Sequence, residues 1–337
     1  MRSVLLGLVL VLGLVSSACA PASEAPAAAP ASAPAAASPA PLRTVRIASP
    51  GSSLSYLPAK VADERGFFRA EGLELEWLQL AGELSVTAIL AGDLDYTTVP
   101  SSAAAAAAQG APMKIVSFMS VKLQHQLVSR PEITTMAELA GKRIGVQRQG
   151  DLTAFETRRV VDHFGLPDVT IVSVGRDTER LAALQSGAVD AVVLAVPWDV
   201  KAERLGMRTL LAIGSVLEIP QAGLATSEEK LRRDPDELAG LIRGIIRGTQ
   251  YLSDPAHRDE IVAIIADWIE LTPEEASQAF DRVRDTYSPN ALPTDAQLQS
   301  YLAMLRATGA ATESTTAEQL TDFRITRRVA AEMGVAP

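Results

Sequence analysis

Cysteine is all but missing from this 337-residue chain, which has one, Cys19. That excludes a disulfide framework and a thiolate zinc site. Histidine is scarce as well: His125, His163 and His257 have no chemically useful neighbours in sequence. Gly-x-Ser-x-Gly, His-Glu-x-x-His and a Gly-rich phosphate loop are all absent, so no motif argues for catalysis, a metal or a cofactor. Lys and Arg, 31 against 40 Asp and Glu, are scattered and leave a formal charge of -9. No basic stripe is available for nucleic acid. No apolar run reaches the length of a transmembrane helix. Aromatic residues are only 4% of the chain, so an aromatic side chain near an expected cleft carries extra weight.

What is present is a repeat. The segments Ile89 to Ser101 and Leu184 to Trp198 share one layout. In each, a helical pattern ends at a Gly (Gly92, Gly187), an Asp follows three residues later (Asp95, Asp190), and a short β-branched run stops at a Pro (Pro100, Pro197). The echo continues through Gly110 into Met113 to Val116, and through Gly206 into Met207 to Leu211. Gly at a helix C-terminus supplies a left-handed cap. The run Ala191 to Val196 has no polar alternation and fits a parallel strand buried on both faces, and Pro suits a first helical turn. Two similar α/β lobes are the simplest architecture.

The N-terminus reads as an export signal over residues 1–18. Met1-Arg2-Ser3 is a charged start, the twelve-residue stretch Val4 to Val15 is apolar but too short to span a bilayer, and small residues follow. Cys19 stands where a bacterial lipoprotein signal places its acylated Cys, and the stretch resembles that signal, with Ser16 where Leu is commonest. Lipidation of Cys19 is the expectation; cleavage after Ala20 is the alternative. Residues 19–41 are almost wholly Ala, Pro and Ser. Such a segment cannot bury enough apolar surface to offset its ordering entropy and reads as a disordered tether.

From Leu42 the chain is long enough for two domains with substantial cores. Thr44 to Ala48 alternates as a strand, the Ser49 to Ser55 turn follows, helical spacing resumes at Tyr56, and Glu71 to Leu78 alternates again. That order puts the Ser-rich turn at the carboxyl end of a strand, where open α/β sheets bind ligands. Further on come His125 to Ser129, expected to end the first lobe's strands, then Lys142 to Val146, Val169 to Val174, and Gln221 to Thr226 as a return strand. The apolar stripe Leu238, Leu241, Ile242, Ile245, Ile246 and the helical patterns after it read as buttresses for the first lobe.

Several pieces in this order carry a resemblance. Leu57-Pro-Ala-Lys-Val-Ala62, Glu64-Arg-Gly-Phe-Phe68, Glu71-Gly-Leu-Glu-Leu75, Leu90 to Asp95, Leu139 to Val146, Gly165-Leu166 and Leu181 to Asp190 follow one another. Over roughly Leu42 to Gly334 the chain is similar to ABC-transporter substrate-binding proteins of the nitrate, sulfonate, taurine and thiamine-pyrimidine-precursor group. The resemblance implies a two-lobed type II periplasmic binding protein, each lobe a mixed, mostly parallel sheet flanked by helices. It implies lobe I over 42–127 and 222–337, lobe II over 128–221, and a double hinge at Leu127 to Arg130 and Pro220 to Ala222. The fungal pyrimidine synthases that share this fold use a Cys-rich motif, which a chain with Cys19 alone does not match.

Four loops are then expected at the cleft: Ser52 and Ser53 after the first strand, Ser101 and Ser102 capping the alanine helix, Gln149, Gly150, Asp151 and Thr153 at a helix start in lobe II, and Trp198 and Asp199 after Pro197. Hydroxyls and free N-H groups at helix starts suit carboxylate, sulfonate or nitrate oxygens, and Ser and Thr also serve as ordinary N-caps. Asp151 and Asp199 either cap their helices or bind a cationic group. Trp198 is favoured for stacking on a ligand. Asp95 and Asp190 are read as fixing loops. The expected function is an extracytoplasmic, lipid-anchored, monomeric receptor that captures a small organic solute or anion and delivers it to an ABC permease served by a separate ATPase. The other readings are an enzyme on the same bilobal fold and a ligand-sensing partner of a membrane signalling protein.

Overall fold

The computed structural model describes residues 41–335. The expected signal over 1–18, Cys19 and the tether through residue 40 lie outside the described residues. β1 (Arg43–Ser49) alternates, which puts Val45 and Ile47 in the core. α1 (Leu57–Glu64) follows the Ser-rich turn, and β2 (Leu73–Gln79) returns parallel to β1. Then come α2 (Gly82–Ala91), β3 (Tyr96–Thr97), α3 (Pro100–Ala108) and β4 (Met113–Ser120). A second series runs β5 (His125–Ser129), β6 (Arg143–Val146), α4 (Leu152–Phe164), β7 (Thr170–Ser173), α5 (Asp177–Ser186), β8 (Ala191–Ala195), α6 (Trp198–Arg204) and β9 (Arg208–Ala212). β10 (Ala222–Ser227) is the return strand expected at Gln221 to Thr226.

These strands form two five-stranded sheets of matching plan, β2-β1-β3-β10-β4 and β7-β6-β8-β5-β9. In each, three parallel strands are followed by one antiparallel strand. β5 is where the structure departs from the sequence reading. His125 to Ser129 was expected to close the first lobe, yet it pairs with β8 and β9 of the second sheet. The chain therefore crosses at residues 121–124, before the expected hinge at Leu127 to Arg130. A fully buried strand carries no periodicity that names its neighbours.

The repeat is real down to single atoms. Gly92 and Gly187 both cap their helices in the left-handed region, at φ 84° and 75°. Arg46 N donates to Asp95 Oδ2 at 2.9 Å in the first sheet, and Arg143 N donates to Asp190 Oδ2 at 2.9 Å in the second. Arg46 Nη2 reaches Gly92 O at 3.1 Å, and Arg143 Nη2 reaches Gly187 O at 2.9 Å. Each Asp thus ties the loop after its helix to a parallel strand of its own sheet, β1 in the first and β6 in the second. Pro100 opens α3 as expected, whereas Pro197 sits one residue ahead of α6.

The C-terminal helices are α7 (Glu228–Arg233), α8 (Pro235–Ser253), α9 (Arg258–Trp268), α10 (Pro273–Val283), α11 (Asp295–Ala307), α12 (Ala317–Leu320) and α13 (Arg324–Glu332). α8 lays Leu238, Leu241, Ile242 and Ile245 against Val45 and Ile47, and buttresses the first sheet as read. It comes so close to α1 that a Cβ on Gly248 would sit 2.1 Å from Pro58 O. α10 does more than buttress. Its Arg282 pairs with Glu203 at 2.6 Å, and its Glu275 with Arg204 at 2.5 Å, both on α6 beside the second sheet. Ion pairs between elements leave no trace in an apolar stripe, so this bridging was not legible in sequence.

Candidate functional site

The expected site residues divide between two hollows. The first, about 420 Å³, takes Ser52 and Ser53 from the turn after β1, and Asp177, Trp198 and Lys201 from the starts of α5 and α6. Trp268 and Glu270, at the turn between α9 and α10, complete its wall. Ser53 is an N-cap: its Oγ accepts from Ser55 N at 3.3 Å and lies 2.9 Å from Ser55 Oγ. Lys201 holds its ammonium 4.6 Å from the centre of the Trp198 ring, a cation-π contact that fixes the indole.

The second hollow, about 440 Å³, takes Ser101 and Ser102 from the start of α3, Arg148, Gly150 and Asp151 from the loop before α4, and Met304 of α11 with Thr308 at its C-cap. Ser101 and Ser102 do not cap α3. Val99 holds the cap position without a side-chain bond, and the two serines lie in the first turn. Asp151 caps α4 through Ala154 N at 3.0 Å.

Three expected residues point elsewhere. Thr153 is buried, its Oγ1 accepting from Gln147 N and donating to Asp151 Oδ1. The Gln149 amide donates to Ile171 O and accepts from Arg158, on the outer edge of the second sheet. Asp199 is wholly buried beneath α10, with Arg282 Nε 3.5 Å away. Neighbouring backbone and side chains claim Thr153 and Gln149 before a ligand could, whereas Asp199 is simply covered, both of its carboxylate oxygens lacking a hydrogen-bond partner; neither outcome is visible in a loop read residue by residue.

Burial pushes the Asp199 carboxyl up to about 6, while Arg282 pulls the other way. A folded pKa above the unfolded value means that ionisation costs stability. The cost is absent below about pH 4 and grows as pH rises towards the folded value. Asp199→Asn is therefore expected to gain on the wild type by about 2–3 kcal/mol between pH 4 and pH 7. Arg282 keeps Glu203 as partner in the variant. Urea unfolding of both proteins across that range reads the difference, and parallel pH profiles would rule it out.

Sequence reasoning gave His125 no partner, and the fold supplies one. Its Nδ1 lies 2.8 Å from Glu156 Oε1, and both residues are buried. Burial pushes the imidazole pKa down, but Glu156 outweighs it, so the net direction is up. Glu156 Oε2 has no hydrogen-bond partner, and neither has Nε of the buried Arg180, whose Nη2 donates to Asp177 at 2.6 Å. Trp268 was missed because it sits on a helix read as support, and Asp177 because only the fold brings the start of α5 to the cleft. The scarcity of aromatic residues was the signal that could have found Trp268. Among the described residues no group of three His, Cys, Asp or Glu is placed to hold a metal, and no helix is long and apolar enough to cross a membrane.

Residues 54–257 match the model of the family described as NMT1/THI5 like. A curated relative, YtlA of Bacillus subtilis, whose name calls it a binding protein by conjecture, is 23% identical over 308 residues, covering 86% of this chain and 91% of YtlA. The periplasmic aliphatic sulphonate binding protein SsuA from Escherichia coli superposes with a TM-score of 0.67 at 17% identity, over 84% of this chain and 98% of its own. The desulfurization enzyme DSZB superposes with a TM-score of 0.65 at 17% identity, over 86% and 99%. The two mixed sheets are thus those of the periplasmic-binding-protein fold, which carries binding proteins and at least one enzyme.

Proposed function

The chain belongs to the NMT1/THI5-like family, and from that premise we propose that it is an extracytoplasmic solute receptor for an ABC importer. The observation that carries this reading is the first hollow, whose wall takes Ser52 and Ser53 from beside one sheet and Trp198 and Lys201 from beside the other. A solute held there touches both lobes. It favours the closed form by contacts the open form lacks, and the closed form engages the permease, with ATP hydrolysed by a separate subunit. The lobes are 42–127 with 222–337, and 128–221, adjusted so that the first crossing falls at residues 121–124. Cys19 is the proposed lipid anchor and the receptor acts as a monomer. The solute is a small organic acid rather than a bare inorganic anion, because two indoles and one ammonium, not a cluster of cations, face the hollow, with the Asp177 and Glu270 carboxylates also in its wall.

A thermal-shift panel of nitrate, alkane- and arenesulfonates, aromatic acids and pyrimidines tests this. One class is expected to raise the melting temperature and be recovered unchanged; a ligand at 100 times its Kd adds about 2.7 kcal/mol. Conversion of the bound compound would place the chain with the enzymes of the fold instead, and a flat panel would count against the receptor.

A further inference from the structure

Beside the cleft lies a smaller hollow of about 230 Å³, and the two share Ser52 and Trp268 as common wall. Its sides are aromatic. Tyr56 stacks on Trp77 with ring centres 6.0 Å apart and 21° between planes, and meets Trp268 edge-on at 5.5 Å. With Trp198 next door, all three tryptophans of the chain line these two adjoining hollows. Tyr56 is 3% exposed, and its hydroxyl has no hydrogen-bond partner. Trp77 is held in place by its own Nε1, which donates to Asp63 Oδ2 at 2.9 Å. Tyr56 belongs to the core of the first sheet, with Trp77 and Trp268 packed against that core, and the two indoles also border open volume. Dry cavities of about 150 Å³ already admit benzene.

Resting on the reading of the cleft as a solute site, we propose that this side slot receives a planar aromatic ring, so that the solute class is arene carboxylates or arenesulfonates. The ring lies in the slot against Trp77 and Trp268, which Tyr56 holds apart, and offset and edge-on contacts there favour an aromatic over an alkyl chain. The acid group stays in the cleft at Ser52, Ser53 and the Lys201 ammonium. Lys60 also borders the slot, its ammonium 5.9 Å from the Trp268 ring centre and paired with Glu64.

Because every tryptophan borders these two hollows, intrinsic fluorescence of the full chain reads occupancy directly. Benzoate and benzenesulfonate are titrated beside butanoate and ethanesulfonate. The arene acids should bind at least tenfold more tightly; Trp77→Leu, whose indole lines the slot and not the cleft, should remove that preference without weakening the aliphatic acids, and Trp268→Leu, whose indole walls both, should remove it too. Melting curves of the variants confirm folding, and the wild-type comparison stands even if Trp77→Leu does not fold. Equal affinity for the two series overturns the slot and leaves the receptor reading intact. So does arene binding that needs Trp198 but neither Trp77 nor Trp268. If neither series binds while another compound of the wider panel does, the slot alone fails; if nothing binds, both readings fall.

Discussion

Replacing Lys230 by Met is expected to lower the unfolding free energy by about 3–5 kcal/mol, the usual cost of removing one partner from a buried charge group. Lys230 is 6% exposed, and its ammonium lies 2.9 Å from Asp95, 3.1 Å from Asp234 and 2.8 Å from Glu237. Tyr96 Oη donates to Glu237 at 3.1 Å, and Arg43 reaches Asp234 at 2.7 Å and Glu237 at 2.6 Å from the solvent side. Without Lys230, Asp95 and Glu237 keep their charges in a site with little water and one cation fewer. Methionine fills the space of the stem but pairs with nothing.

The pH dependence of this cluster has a definite sign. Burial opposes ionisation of Asp234, but Arg43, Arg233 and Lys230 override it and hold the carboxyl well below its ordinary range. Asp95 is lowered too, burial again working against its bond to Arg46 N and its pairing with Lys230. Stability from depressed carboxylates is present above their unfolded pKa of about 4 and is lost as pH falls through the folded values. The gap between wild type and Lys230→Met should therefore narrow in acid. Urea unfolding at pH 7 and pH 3 measures it; a loss under about 1 kcal/mol at pH 7 would mean that water reaches the cluster.

This cluster also shows what a sequence can and cannot disclose. Asp95 was readable as a loop-fixing residue because its counterpart Asp190 recurs in the same frame, and the bonds to Arg46 and Arg143 are the atomic form of that recurrence. Its second partner, Lys230, lies far along the chain, and no local pattern couples the two. The same limit applies at the cleft. Turns after β1 and β8 could be placed at sheet ends from strand order alone, because topology fixes where such turns emerge. Which side chains of a turn stay free is decided by neighbours: Ile171 O claims Gln149, Asp151 claims Thr153, and α10 covers Asp199. Trp77 and Trp268 belong to separate elements, β2 and α9, and meet only through Tyr56. β5 was misassigned for the complementary reason: it is buried throughout, and such a strand fits either sheet until pairing selects one.

Trp198→Ala is the change expected to affect ligand binding most, and it also decides between the hollows. A tryptophan anchor in an interface is typically worth at least 2 kcal/mol, about 30-fold in Kd. A ligand present at 100 times the wild-type Kd would add about 2.7 kcal/mol to the wild type and under about 1 kcal/mol to the variant. Part of the indole also packs on the cluster around Leu194 and Ala202, so the unliganded variant should melt somewhat earlier. The ligand-induced increment, not the melting temperature itself, is the quantity to compare. Ser101→Ala serves as the counterpart, since Ser101 lines only the hollow shared with Arg148 and Asp151. Retention of the increment in Ser101→Ala with its loss in Trp198→Ala puts the solute beside Ser52 and Ser53. The reverse result would move it to the opening between α3 and α4, where Arg148 is the nearest cation, and the acid group would then be recognised by a guanidinium instead of an ammonium resting on an indole.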